Sequence, residues 1–173
     1  MNLHRYLLAA ALSAPTFLPQ AYAAPPAAAA LIGKTEHGAT VDLADYKGKV
    51  VLLFFWSTEC AVCLDLLPEM RANLKGWQGK DFVIVAINQD RAIADLNAYE
   101  HVLDQVASPN SQMKIVWRRD PSYHDTFGDL PTKGPTTVVV DRKGMVVKSV
   151  TGRAAPELWD DIADLVLNCT TCQ

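Results

Sequence analysis

Seven apolar residues in a row, VVLLFFW at positions 50–56, run almost directly into two cysteines, Cys60 and Cys63, that are separated by two residues. No polar residue interrupts the run, so it has no face to offer to water. A short, continuous run rich in β-branched and aromatic residues reads as a strand buried on both faces. The cysteine pair therefore stands at the exit of a central strand. The apolar spacing that follows (Leu64, Leu67, Met70, Leu74) predicts a helix whose first turn carries the pair.

The rest of the chain supplies partners for that strand. FVIVAI at 82–87 is a second buried run. Asp90 reads as the N-cap of a helix reaching Val106, with Ile93, Leu96, Leu103 and Val106 on one face. MKIVW is a short strand, and a brief helix is expected at 123–127. TTVVVDRKGMVVKSV is a β-hairpin with its turn at 141–144. PELWDDIADLVLN is a closing helix with Pro156 near its first turn and Leu158, Ile162, Leu165 and Val166 inward. Upstream, GKTEHGATVDL reads as a hairpin. This order predicts a single α/β domain over 32–168, with a central sheet and helices on both of its faces.

The chain has 173 residues, half of them apolar, and a net charge of −3. That suits one core and argues against nucleic-acid binding, since no basic cluster stands out. The first 23 residues read as a secretory signal: Arg5, an apolar stretch, then AYA with cleavage after Ala23. An uncleaved membrane anchor fits less well, because the stretch is short and Pro15 and Pro19 interrupt it. Residues 24–31, rich in alanine and proline, read as a flexible lead. The expected location is an exported, oxidising compartment, the periplasm in a Gram-negative cell. All four cysteines lie after the signal, and none precedes Cys60, which excludes a lipid-modified cysteine at the mature N-terminus.

A cysteine in the first turn of a helix faces unpaired N–H groups and the positive end of the helix dipole. Both lower its pKa and make it a nucleophile near neutral pH. Cys60, expected to be the exposed sulfur, would attack a partner disulfide, and Cys63, tucked behind, would resolve the mixed disulfide.

GKVVLLFFWSTECAVC resembles the entry to the redox motif of the thioredoxin superfamily. GATVDLADYKGK and GPTTVVVDRKG are similar to its exported, TlpA-like and cytochrome-maturation branch. The resemblance covers about 32–167. It implies a thioredoxin-like α/β fold with a mixed sheet flanked by helices, no dissociable cofactor, no metal and a monomer. It implies a thiol–disulfide oxidoreductase working as a reductase, with apocytochrome cysteines as a candidate substrate and a membrane thiol reductase as electron donor. It places Trp56 under the pair and counts it with Gly134 and Pro135, the partner-side wall, among the partner-binding residues, with Pro135 in the cis form. LPT at 130–132 is a competing match for that proline.

The chain departs from the family pattern at several positions. Glu59 precedes Cys60 where relatives commonly carry Trp; a carboxylate there disfavours a thiolate and would make the couple more reducing, unless it points into water. Phe54 stands where a buried acid is usual. Leu66 occupies a second acid position, with Asp65 beside it. Gly134 lacks the β-branched side chain common before the proline, which would open the groove.

Cys169 and Cys172 repeat the spacing in a tail at 169–173. A local disulfide there closes a very small loop, worth roughly 2 kcal/mol at best. A passive bridge, a second redox pair feeding Cys60–Cys63, metal capture and intermolecular bonding all remain open. One zinc site from both pairs is disfavoured by their wide separation. His37, His101 and His124 show no ligand spacing. A peroxidase reading fails on its own motif, because Leu53 occupies the position that needs proline. A metal- or haem-delivery chaperone using Cys60 and Cys63 is the non-enzymatic alternative.

Overall fold

The computed structural model describes residues 27–35, 37–106 and 113–167. The signal segment and both tail cysteines lie outside these residues. The elements are β1 (Leu31–Lys34), β2 (Thr40–Asp42), a 3-10 turn (Leu43–Tyr46), β3 (Val50–Trp56), α1 (Ala61–Gly76), β4 (Phe82–Asn88), α2 (Ile93–Val106), β5 (Lys114–Trp117), β6 (His124–Asp125), β7 (Thr136–Val140), β8 (Val146–Thr151) and α3 (Glu157–Leu167).

The main sheet has the order β5-β4-β3-β7-β8. β3 lies at its centre, parallel to β4 and antiparallel to β7. All seven β3 residues are at most 2% exposed, as an unbroken apolar run requires. The alternation of side chains divides them between two cores. Val50, Leu52, Phe54 and Trp56 join Leu66, Leu67 and Met70 of α1, Leu96 of α2 and Leu158, Ile162 and Val166 of α3. Val51, Leu53 and Phe55 join Leu31, Val41 and Leu43.

All three helices thus send their buried apolar residues to one core, which corrects the expectation of helices on both faces. The reason is topological. β3, β4 and β5 step in one direction across the sheet, and right-handed crossovers then place both connecting helices on the same side. The second face is covered by a three-stranded sheet of order β2-β1-β6 and by the 3-10 turn. β1 approaches closely: a Cβ at Gly33 would lie 2.4 Å from Val116 Cγ1, so only glycine fits there.

Other expectations shift in detail. The segment at 123–127 is not helical; His124 and Asp125 pair with β1. In α1, Leu66 is buried and Leu64 is 37% exposed, so the apolar stripe is rotated from the expected one. The expected lead is tied down from Ala27 onward. Ala29 N–H donates to Gly144 O, Val146 N–H donates to Ala27 O, and Leu31 is 1% exposed. The hairpin turn is as expected, with Gly144 at φ 83°. Arg142 in that turn reaches Gly48 O, Asp81, and the last carbonyls of α3, Leu165 O and Val166 O.

Candidate functional site

β3 ends at Trp56, a turn follows at 57–59, and Cys60 is the N-cap of α1. Cys60 and Cys63 form a disulfide with Cα atoms 5.2 Å apart. The Cys63 N–H donates to Cys60 Sγ at 3.1 Å, and the Leu64 N–H donates to Cys60 O. The side chain of Cys60 thus takes the acceptor role that serine or aspartate takes at an ordinary N-cap. In the dithiol form the same N–H would favour a thiolate at Cys60.

The exposure of Cys60 departs from expectation. In the disulfide form it is only 3% exposed and Cys63 is fully buried. Both sulfur-bearing residues belong to the core cluster of Trp56, Leu66 and Leu67. The chain neighbours of Cys60, Glu59, Ala61 and Val62, are all exposed. Glu59 points toward solvent, as its alternative reading required.

Trp56 is fully buried. Its ring meets Tyr99 of α2 edge-on, with centroids 4.9 Å apart, and its Nε1 has no hydrogen-bond partner among the described residues. Direct contact with a partner is therefore corrected to support from beneath the pair. Pro135 leads into β7 one residue before Thr136, which pairs with Phe55, so it arrives level with Trp56. Its carbonyl accepts from Gly152 N–H at 2.8 Å. The bond before it is trans, not the cis form that the resemblance implied; Pro135 simply extends the chain into the β7–β8 ladder. A Cβ at Gly134 would meet nothing within 4 Å, so the space there is open.

Phe54 is fully buried and Leu66 is 4% exposed. Asp65, the acid beside Leu66, turns outward, 72% exposed and 3.7 Å from Arg153. None of these three positions supplies a buried acid to the pair.

Polar residues that the sequence reading passed over hold this end of the sheet together. The Gln89 N–H donates to Trp56 O at 2.7 Å. Ser57 Oγ donates to Thr132 O, and Gln89 Nε2 donates to Pro131 O. Arg118 donates to both oxygens of Asp125, to Gln89 Oε1 and to Gly128 O. Gly128, Pro131 and Thr132 are thereby tied to this end of the sheet. Burial alone would raise the Asp125 pKa, but the bonds from Arg118 and Tyr123 outweigh it and hold the carboxyl below its usual range. Burial, and then the bond to Asp125, push the Tyr123 phenol well above its usual value. A signal for Asn88 and Gln89 was present: polar residues close a buried apolar run, and the parallel pairing brings Asn88 level with Trp56.

Among solved structures, the chain is similar to a protein described as a thiol:disulfide interchange protein DsbE from Chlorobium tepidum. The two are 28% identical, the match covers 80% of this chain and 92% of that one, and the TM-score is 0.59. A protein described as a thioredoxin from Neisseria meningitidis shares the fold, with a TM-score of 0.66 at 24% identity, over 84% and 93% of the two chains. The fold is therefore thioredoxin-like. In sequence, the chain is 28% identical over 130 residues to the thiol-disulfide oxidoreductase ResA of Bacillus subtilis, 75% of this chain and 68% of that protein. The ResA of Halalkalibacterium halodurans matches at 24% over 129 residues. The model of the AhpC/TSA family spans residues 23–149, from the edge of the N-terminal segment through the cysteine turn and the β7–β8 hairpin, and by that match the chain belongs to the AhpC/TSA family.

Proposed function

We infer that this chain is a thiol–disulfide oxidoreductase of the ResA and DsbE type that exchanges the Cys60–Cys63 disulfide with cysteines of partner proteins. The observation that carries this reading is the disulfide at the first turn of α1, with a helix N–H aimed at Cys60 Sγ. The names of the similar proteins point the same way.

As a reductase, the protein starts as the dithiol. The Cys60 thiolate attacks one sulfur of a partner disulfide; a mixed disulfide forms and the other partner sulfur leaves as thiolate. Cys63 then loses its proton and attacks Cys60 Sγ. The Cys60–Cys63 disulfide forms, the first partner sulfur is released, and two electrons have passed to the partner. An external dithiol, by resemblance that of a membrane thiol reductase, restores the pair by the reverse exchange. Gly134 and Pro135 form the wall beside which the partner segment lies. Glu59, in solvent next to Cys60, is the nearest modulating charge in sequence.

Export after cleavage at Ala23, work as a monomer, and reduction of cytochrome cysteines belong to this proposal. Their support is the N-terminal sequence and the likeness to ResA and DsbE. The reach of the tail favours a passive or intermolecular role for Cys169 and Cys172. Arg142 holds the end of α3 at the start of β3, the far end of the sheet from Cys60.

Insulin-disulfide reduction driven by a chemical dithiol tests the reading. Wild type should accelerate it and Cys60→Ser should not. No acceleration, with peroxide consumption or stoichiometric metal uptake instead, would replace this reading with the peroxidase or the chaperone.

A further inference from the structure

The turn that carries Cys60 is anchored by one carboxylate. Asp90 is 4% exposed, just beyond the end of β4. The sequence reading gave it the N-cap of α2, but its side chain turns the other way. Its Oδ1 accepts the Thr58 N–H at 2.9 Å, and Thr58 lies two residues before Cys60. Its Oδ2 accepts Asn88 Nδ2 at 2.8 Å, and its own N–H returns to Asn88 Oδ1 at 3.1 Å. Trp117 Nε1 donates to Asp90 O at 2.9 Å. Asn88 is fully buried, so the amide that orients the carboxylate is itself fixed.

The turn at 57–59 belongs to neither strand nor helix, and its backbone has few partners. Cys60 N–H bonds back to Ser57 O within the turn at 3.2 Å. The Thr58–Asp90 bond ties the middle of the turn to the neighbouring strand. A charged acceptor makes this a strong hydrogen bond. It fixes where the chain enters α1, and so where Cys60 Sγ lies relative to the Cys63 N–H.

We propose that Asp90 is a positioning residue for thiol exchange: through the Thr58 amide it holds Cys60 at the helix N-terminus, where the dithiol form is activated. This rests on the reading of Cys60 as the attacking sulfur. Asp90 touches no reacting atom, and its effect passes through the backbone of Thr58 and Glu59.

The test is the pH dependence of Cys60 alkylation in the reduced protein, with adducts assigned by peptide mass. Asp90→Asn keeps an oxygen for Thr58 and removes the charge; Asp90→Ala removes both. Alanine should move the alkylation midpoint to higher pH and slow the reaction at pH 7 about fivefold, because less of Cys60 is thiolate. Asparagine should stay within about twofold of wild type, since the hydrogen bond survives. An unchanged midpoint in Asp90→Ala, equal defects in both variants, or faster alkylation in Asp90→Asn would each overturn the proposal. Should Asp90→Ala fail to fold, amide exchange of Thr58 in the wild-type protein decides: protection in oxidised and reduced forms supports the anchor, and free exchange refutes it. If wild-type Cys60 alkylates no faster than an ordinary thiol, the functional reading has failed, not the anchor alone.

Discussion

At Gly134 a side chain is absent where the resemblance places the partner wall. A Cβ there meets nothing within 4 Å, so substitution costs the fold little. Gly134→Val should leave the melting temperature within about 2 °C, as surface substitutions commonly do. It should lower the rate with a bulky protein disulfide several-fold while leaving a small dithiol reagent unaffected. Equal rates with both would remove Gly134 from the wall. At this scale the sequence was legible where a residue type carries its own chemistry. The cysteines and the hairpin glycine could be read directly. Asp90 could not, because an aspartate before a helix and an aspartate turned toward a neighbouring strand look the same until the register of β3 and β4 is known. The full burial of Trp56, counted among the partner-binding residues, was not legible for a related reason: it depends on α2 packing Tyr99 against the ring.

Among the elements, α3 decides what the tail can do. It begins just after Gly152, whose N–H bonds Pro135 at the redox end, and it finishes where Arg142 binds its last carbonyls at the start of β3. The seven residues of β3 separate the two ends by about 20 Å at the usual strand rise. From Leu167, five residues of extended chain reach about 18 Å. That is no more than the length of β3, so exchange with Cys60 would need the tail drawn out along the whole sheet. Replacing Cys169 and Cys172 together with serine should therefore leave single-molecule disulfide reduction unchanged within about twofold, as expected when no contact with the reacting atoms is lost. A large loss of turnover at low protein concentration would place the tail in the exchange path. The elements themselves were mostly legible, because long apolar runs and a 3.6-residue period survive any packing. The placement of α2 was not. It follows from the order in which strands enter the sheet, and the paired strand at 124–125 owes its shape to β1, not to its own residues.

For the molecule as a whole, one polar network braces the second layer against the sheet. Arg118 pairs with Asp125 at 2.8 Å, with side chains 17% and 6% exposed, and the guanidinium sits over the Phe55 ring at 5.2 Å. Tyr123 donates to the same carboxylate at 2.7 Å. The folded state holds the Asp125 pKa below its ordinary value of 3.8. Its stabilisation is therefore present above about pH 4 and is lost as pH falls through the folded value. Asp125→Asn should cost about 2–3 kcal/mol at neutral pH, since it leaves the Arg118 charge poorly paired. It should also flatten the acid limb of the stability curve. Urea unfolding at pH 7 and pH 3 checks both, and an equal cost at the two pH values would show that the ion pair contributes nothing specific.

The central claim is that Cys60 attacks and Cys63 resolves. Incubating reduced Cys63→Ser with a protein disulfide, then mapping the trapped adduct by mass spectrometry, tests it most directly. The account predicts a stable mixed disulfide at Cys60, absent from Cys60→Ser and released by added dithiol. No adduct, or one borne by another cysteine with Cys60 left free, would contradict it.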